Sequence, residues 1–437
     1  MRRLHGHAER PVSRGARNAG SLAALLSSEV LMAGLLLAAV TLAVVTLAPG
    51  CARTPETPRA SPPAPAKQTT PPNQEKTEVT SMIFVKKNTD GTGDGFQKLI
   101  NLMEKNGLRF YQTAARSGLI AKDDVVILKS NAQWDQRGQT NTDLLKSIIT
   151  AITAHAEGFS GEVLICDNGQ AQFGARGSGG TMDWDQNNAK DKAQSARKVA
   201  DELARAHRVS AVSWDAFTRT AVQEYSAGDM KDGFVVAAQK SATGAAVSYA
   251  KFRTKYGTYI SFKNGVWDDK AKKFDSERLK VINVPVLKAH STYQVTACVK
   301  NYMGTTSDIL TNHDSHTAIG RGFMGTQMAG TRFPVLNVLD AIWINPVRGP
   351  STPYSTAVEK RMVIAGLDPV AIDYWAAKNV LMPAAKEAGN RNYGVMDPSG
   401  KEPGTFGYWL TLSMNELKAA GHAVTMDESQ IKVFTED

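Results

Sequence analysis

Apolar positions along the chain gather into short unbroken runs separated by amphipathic stretches. Val281 to Leu287 (VINVPVL) has strand length and is rich in β-branched residues, so it predicts a strand covered on both faces of a sheet. Asp124 to Lys129, Glu162 to Cys166, Met362 to Ala365 and Val335 to Ile344 share this character, the last with Asp340 as a polar break. Ser81 to Lys86, Ser210 to Trp214 and Gln430 to Phe434 predict further strands. Between them Leu99, Ile100 and Leu102, then Leu145, Ile148, Ile149 and Ile152, recur at helical spacing, the second set with Thr142 as its cap. Helices are also expected over 189–206, 295–303 and 414–420, and Asp368-Pro369 reads as the N-cap and first turn of another. Strand, helix, strand in this order argues an α/β fold over 81–437, a mainly parallel sheet with helices on both faces. Residues 230–278 break the pattern. There Tyr256 to Phe262 alternates and Lys263-Asn264-Gly265-Val266 is a tight-turn signal, predicting an antiparallel hairpin insertion.

Chemistry collects where the central run ends. Lys288 and His290 close the strand, and Lys300 and Asn301 follow on the next short helix. Open α/β sheets bind ligands at the carboxyl ends of their strands, and Lys129, Asn131 and Asp167 end two neighbouring strands. A single Lys or His at such a place is explained by wetting alone; the cluster is harder to explain that way. Asp340 sits inside an apolar run and needs partners, for which Lys288 or Lys300 are the natural candidates. Arg348 leaves the same run in a loop able to present a guanidinium to a carboxylate or phosphate. The expected catalytic residues are therefore His290, Lys288 and Asp340, and the expected substrate-binding residues Lys129, Asn131, Asp167, Lys300, Asn301 and Arg348. In the loop 305–332, His313 and His316 are candidate metal ligands, against the plainer reading that both face water. The Gly-rich turn 88–95 lacks the full dinucleotide or P-loop pattern, and Asp183 to Asn187 lacks the later positions of a calcium loop, so a turn and a surface loop are expected.

The segments VPVLKAH (284–290) and VKNYMG (299–304) resemble the signature of the domain-of-unknown-function 362 family. DVVILKSN (124–131), NVLDAIWINPVRGP (337–350) and AGLDPVAIDYWAAKNVL (365–381) extend the resemblance to about residues 80–385. No agreed reaction attaches to that family. Some of its members carry ferredoxin-like modules, and this chain has no such module and no C-x-x-C, so no iron–sulfur cluster is expected.

Residues 1–51 change the picture of where the domain works. Five Arg precede an apolar stretch, Val30 to Leu47, and Leu47-Ala48-Pro49-Gly50-Cys51 resembles a lipoprotein cleavage site with Cys51 as the lipidated residue. The competing reading is an uncleaved transmembrane anchor. Residues 52–80 hold seven Pro among Thr, Ser, Ala, Lys and Gln, the composition of a disordered tether. An exported, membrane-anchored protein of the bacterial cell envelope is expected. The net charge is +9, of which the first fifty residues supply three, and the remaining surplus comes without a basic block or aromatic–basic module. Nucleic acid is not the expected partner; an anionic small molecule is. Cys166 and Cys298 lie in apolar runs as small hydrophobes, although one disulfide between them would be possible.

There is no G-x-S-x-G, kinase or Walker pattern in the 437 residues. Two readings follow. The first is an enzyme acting on an anionic small molecule or cofactor through the Lys/His/Asp cluster, with a metal possible; the second is a non-catalytic lipoprotein that only captures such a ligand.

Overall fold

In the computed structural model the described residues are 81–170, 181–184 and 188–437. The export segment, Cys51 and the tether lie outside them, as do positions 185–187 of the loop compared with a calcium site. The run DVVILK folds as strand β2 because all its side chains from Val125 to Lys129 are buried, which leaves no face for water. In chain order the elements are β1 (Ser81–Lys86), α1 (Gly95–Lys105), β2 (Val125–Lys129), α2 (Thr142–Thr153), β3 (Glu162–Asp167), α3 (Ala196–Leu203) and β4 (Val209–Ser213). Then come β5 (Gly233–Val236), β6 (Ser248–Arg253), β7 (Tyr259–Ser261), β8 (Gly265–Asp268), β9 (Lys273–Asp275), β10 (Leu279–Asn283), β11 (Val286–His290) and β12 (Gln294–Thr296). The chain closes with α4 (Asp314–Thr317), α5 (Phe323–Gly330), β13 (Leu336–Asn345), β14 (Val358–Gly366), α6 (Pro369–Ala376), α7 (Met382–Glu387), α8 (Phe406–Ala419) and β15 (Ile431–Glu436).

The main sheet runs β15-β1-β14-β13-β10-β2-β3-β4, with β11 and β12 attached beyond β13. The β13-β10-β2-β3-β4 segment is parallel throughout, and β14 is antiparallel to both its neighbours. Alternate residues of the strands face two separate cores. Val126, Leu128, Val163, Ile165 and Ile282 pack on α1, α2 and α3. Val125, Ile127, Leu164 and Val281 pack on α5, α6, α8 and a five-stranded antiparallel sheet, β5 to β9. The fold is α/β, and the expected hairpin is one part of that second sheet, with Ser261 opposite Gly265 at its turn.

Several local expectations are corrected. The central run is two strands: Pro285 has no N–H, and the chain leaves β2 there to continue along β13 as β11. Val295 to Met303 is the strand β12 followed by a 3₁₀ turn over Lys300–Thr305, because Asp373 accepts the Cys298 and Val299 N–H groups at 2.7 and 2.9 Å and fixes the chain before a helix can start. The cap of α2 is Asn141, whose side chain accepts from Asp143 N and Leu144 N. Asp368 caps α6 as expected and also accepts from Ser81 Oγ and Thr425 N. Cys166 and Cys298 are both buried free thiols. Among the described residues no helix is long and apolar enough to cross a membrane.

One cation pins the two sheets together. Arg332 donates to the carbonyls of Phe262 (3.1 Å), Lys263 (3.0 Å), Ser276 (2.9 Å) and Leu279 (3.0 Å), closing the gap where the antiparallel sheet rejoins β10. Arg332→Ala leaves these carbonyls without their charged donor and lowers the unfolding free energy by about 2 kcal/mol. Denaturant melts check the magnitude, and hydrogen exchange should rise first within Gly233–Asp275; unchanged protection there would contradict the pinning role.

Candidate functional site

The break at Pro285 opens a wedge. β2 and β10 run side by side as far as Lys129 and Asn283; beyond that point β11 diverges, and the chain after β2 turns away toward α2. Val286 N donates to Asn131 Oδ1 (2.8 Å) across the mouth of the wedge. A cavity of about 280 Å³ occupies it, bounded by the ends of β2 and β3, by β11 and β12, and by the 3₁₀ turn. This is the carboxyl edge of the parallel strands, where connections part.

The floor is a polar lattice. Lys129 is fully buried and pairs with Asp167 at 2.7 Å, and its ammonium also donates to Asn301 Oδ1 (3.1 Å) and Ser130 O (2.8 Å). Burial pulls the Lys129 ammonium below its usual range, and Asp167 opposes that shift. Asp167 accepts from Ala132 N at 2.6 Å through its second oxygen. Asn301 then links sideways, accepting from Asn131 Nδ2 (2.7 Å) and donating to Asn283 Oδ1 (2.8 Å), which in turn reaches Asn337 (2.9 Å). Lys129 and Asp167 thus spend their charge on each other.

The walls carry the remaining cations. On β11, Leu287 and Ala289 enter the core with the antiparallel sheet, so strand alternation turns Lys288 and His290 the other way, into the cavity. Lys288 Nζ donates to Gly138 O at 2.7 Å. Burial and the positive charge of Lys300 pull its amine down to about 7. Lys300 is 8% exposed, and burial brings it down to about 8. Among the described residues its ammonium has neither an ion pair nor a hydrogen bond; it lies 5.7 Å from the centre of the Tyr293 ring. His290 Nδ1 accepts from Thr292 N and Tyr293 N, both at 3.1 Å, which leaves the ring proton on Nε2. Burial and then the charge of Lys300 push its imidazole well below the usual histidine range, so the ring is a neutral donor. His316 is pulled down to about 4 by burial and then by Lys300, and its ring stands 5.5 Å from that of Tyr293.

Of the residues expected to share a site, the structure brings Lys288, His290, Lys300, Asn301, Asn131, Asp167 and His316 to one cavity, with Lys129 directly behind. Three others lie elsewhere. Asp340 sits on the helical face of β13 with Val338 and Ile342, where its carboxylate accepts from Asn141 N, Asn188 Nδ2 and Ile342 N. Burial raises it to about 6, and neither Lys288 nor Lys300 is its partner. Arg348 is exposed, and from its loop only Pro350 reaches the cavity. His313 turns to Asp308 (2.9 Å) on an exposed turn and does not line the cavity that His316 lines. Among the described residues no group of three His, Cys, Asp or Glu is placed to hold a metal ion.

The lining also includes Asn168, which follows Asp167 at the end of β3, and Gln133, Trp134, Gln170, Thr292, Thr296, Met303 and Gly304, which the sequence patterns did not single out as site residues. Gly304 has a detectable reason. A Cβ there would stand 2.1 Å from Asp167 Oδ1 and 2.6 Å from Lys129 Nζ, so the wall closes over the ion pair only with glycine.

Residues 272–378 match the family model described as Domain of unknown function (DUF362), about a quarter of the chain. The chain carries a DUF362 domain. No curated protein and no solved structure matches the chain. The DUF362 segment runs from β9 to the end of α6 and so supplies Lys288, His290, Lys300, Asn301, Gly304 and His316, while β2 and β3 bring Lys129, Asn131 and Asp167 from outside it.

Asp167→Asn removes the counter-charge of a fully buried ammonium and should cost about 3–5 kcal/mol of stability. The double change Lys129→Met with Asp167→Leu should recover part of that loss, because both charges leave together. Thermal melts of the two variants check the order; equal stability of single and double variants would show that the pair is not what matters.

Proposed function

We propose that this DUF362 protein binds a small anionic molecule in the wedge cavity and acts on it as an enzyme. The observation that carries the reading is Lys300, a buried ammonium lining the cavity with no anionic partner among the described residues, in the same cavity as the second buried amine Lys288. A buried charge without a partner is costly, and a ligand carboxylate or phosphate supplies the missing one. Among the described residues the one carboxylate in the lining, Asp167, is already committed to Lys129. A cavity of about 280 Å³ suits a compact metabolite rather than a polymer or an extended cofactor.

The roles divide by protonation. Lys300 anchors the anion, Lys288 is the proton-transfer group because its amine titrates near neutrality, and His290 donates a hydrogen bond from Nε2 without itself taking a proton. Asn131 and Asn301 hold the floor rigid. The second reading, a binder without chemistry, shares the cations and differs in His290: His290→Leu, which removes the Nε2–H donor, leaves anion binding nearly intact and abolishes turnover only if there is an enzyme to disable. Anchoring of this body to a membrane through Cys51 belongs to the same proposal, supported by the basic start and apolar stretch before that residue. Cys51→Ser should then move the protein from the membrane fraction to the soluble fraction.

Protonation sets the pH dependence. The Lys288 amine is held below its ordinary range, so between pH 7 and that range the unfolded chain binds the extra proton. The ligand-free protein therefore gains stability as pH rises through that window. An anion reverses this, since it favours the ammonium forms. Its stabilising effect is fully present below pH 7 and fades as pH climbs past about 7 and 8. Thermal shifts with a panel of small carboxylates and phosphate esters at pH 6 and pH 9 measure it. Lys300→Gln should weaken binding about tenfold; shifts that do not depend on pH and survive Lys300→Gln would refute the assignment.

A further inference from the structure

Three features place Lys288 apart from an ordinary anion ligand. It lines the cavity, and its amine has one hydrogen-bond acceptor among the described residues, the backbone carbonyl of Gly138, and no carboxylate. A second ammonium, Lys300, stands in the same cavity without an ion pair among the described residues and is felt at Lys288 as a repelling charge. A neutral imidazole with its proton on Nε2, His290, projects from the same face of the same strand two residues on. A desolvated lysine beside another cation is the arrangement that makes an amine nucleophilic toward carbonyl groups.

Resting on the anion-cavity reading above, we propose that the ligand is a small oxo acid and that Lys288 captures it covalently as a Schiff base. The carboxylate pairs with Lys300, which sets the adjacent carbonyl carbon against Lys288 Nζ. The amine lone pair forms the C–N bond as the carbonyl π bond opens onto oxygen, where the Nε2–H of His290 donates a hydrogen bond. Both amine protons end on that oxygen, which leaves as water, and the C=N bond closes. No oxidant, reductant or metal is consumed, and the imine serves as an electron sink for whatever bond change follows at the neighbouring carbon. Asn131, Asn301 and the Lys129–Asp167 pair keep the lysine's surroundings fixed without entering the reaction.

Borohydride trapping tests this on the whole chain. The protein is incubated in turn with pyruvate, 2-oxobutyrate and 2-oxoglutarate, reduced, and weighed intact before peptide mapping. The expected result is one adduct per chain whose mass is that of the acid less one oxygen atom, located on Lys288. Lactate, which keeps the carboxylate and lacks the carbonyl, should suppress it. Lys288→Met should abolish trapping, and Lys300→Gln should reduce it about tenfold. Because Lys288→Met removes a buried polar group and its fold must be verified, lactate competition on the unaltered protein stands as an independent check. No adduct with any of the three acids overturns the oxo-acid proposal. So does labelling of Lys300, or labelling scattered over surface lysines. If carboxylates and phosphate esters still stabilise the protein in a Lys300-dependent way, the anion cavity stands and the covalent step alone falls; if nothing stabilises it, both fall.

Discussion

An ammonium at the end of a fully buried parallel strand needs a counter-charge within the sheet, and the Lys129–Asp167 pair at 2.7 Å answers that requirement. From this pair the rest of the cavity edge follows. Asp167 holds the turn after β2 through Ala132 N, and Lys129 holds Asn301. Asn301, through Asn283 and Asn337, carries the polar contact across two further strands, β10 and β13. The break at Pro285 then becomes an opening rather than a defect, because the main-chain groups beside it find partners: Val286 N meets Asn131 Oδ1, Val284 O meets Thr140 Oγ1, and Pro285 O meets Asp340 N.

The same pair decides the sign of the cavity. With Asp167 paired to Lys129, no other carboxylate among the described residues lines the cavity with Lys288 and Lys300, and the two histidines, denied protons by burial and by Lys300, carry no charge there. The resulting site attracts negative charge and disfavours added protons. Its positive potential is concentrated on two amines of depressed basicity, a combination suited to binding an acid and moving a proton or forming a bond at the adjacent carbon.

Much of this was legible in the sequence, for identifiable reasons. Lys288 and His290 were legible as the end of a buried apolar run, and the runs ending in Lys129 and Asp167 had to finish at a common edge if the sheet was parallel. The family resemblance at VPVLKAH and VKNYMG fell on the matched segment 272–378, whereas DVVILKSN lies outside it. Asp340 was misjudged because a polar residue in an apolar strand signals only that partners exist. Its partners are Asn141 N at the cap of α2 and Asn188, which are distant in sequence and carry no charge to advertise them. Arg348 and His313 went astray because loop direction is set by tertiary packing, not by pattern. The 3₁₀ turn replaced an expected helix because Asp373, over seventy residues away, claims the two N–H groups before it. Trp134 and Gln170 were invisible since nothing local marks a residue as cavity lining.

Lys288 and Lys300 are the groups on which the account turns, and their titration can be read directly. Site-resolved ¹⁵N NMR of the two side-chain amines, recorded with and without a small carboxylate, measures whether a desolvated pair of cations awaits an anion. The account predicts a Lys288 midpoint near 7 and a Lys300 midpoint near 8 in the free protein, both rising when the carboxylate is added. Midpoints in the ordinary lysine range, unmoved by the carboxylate, would contradict it.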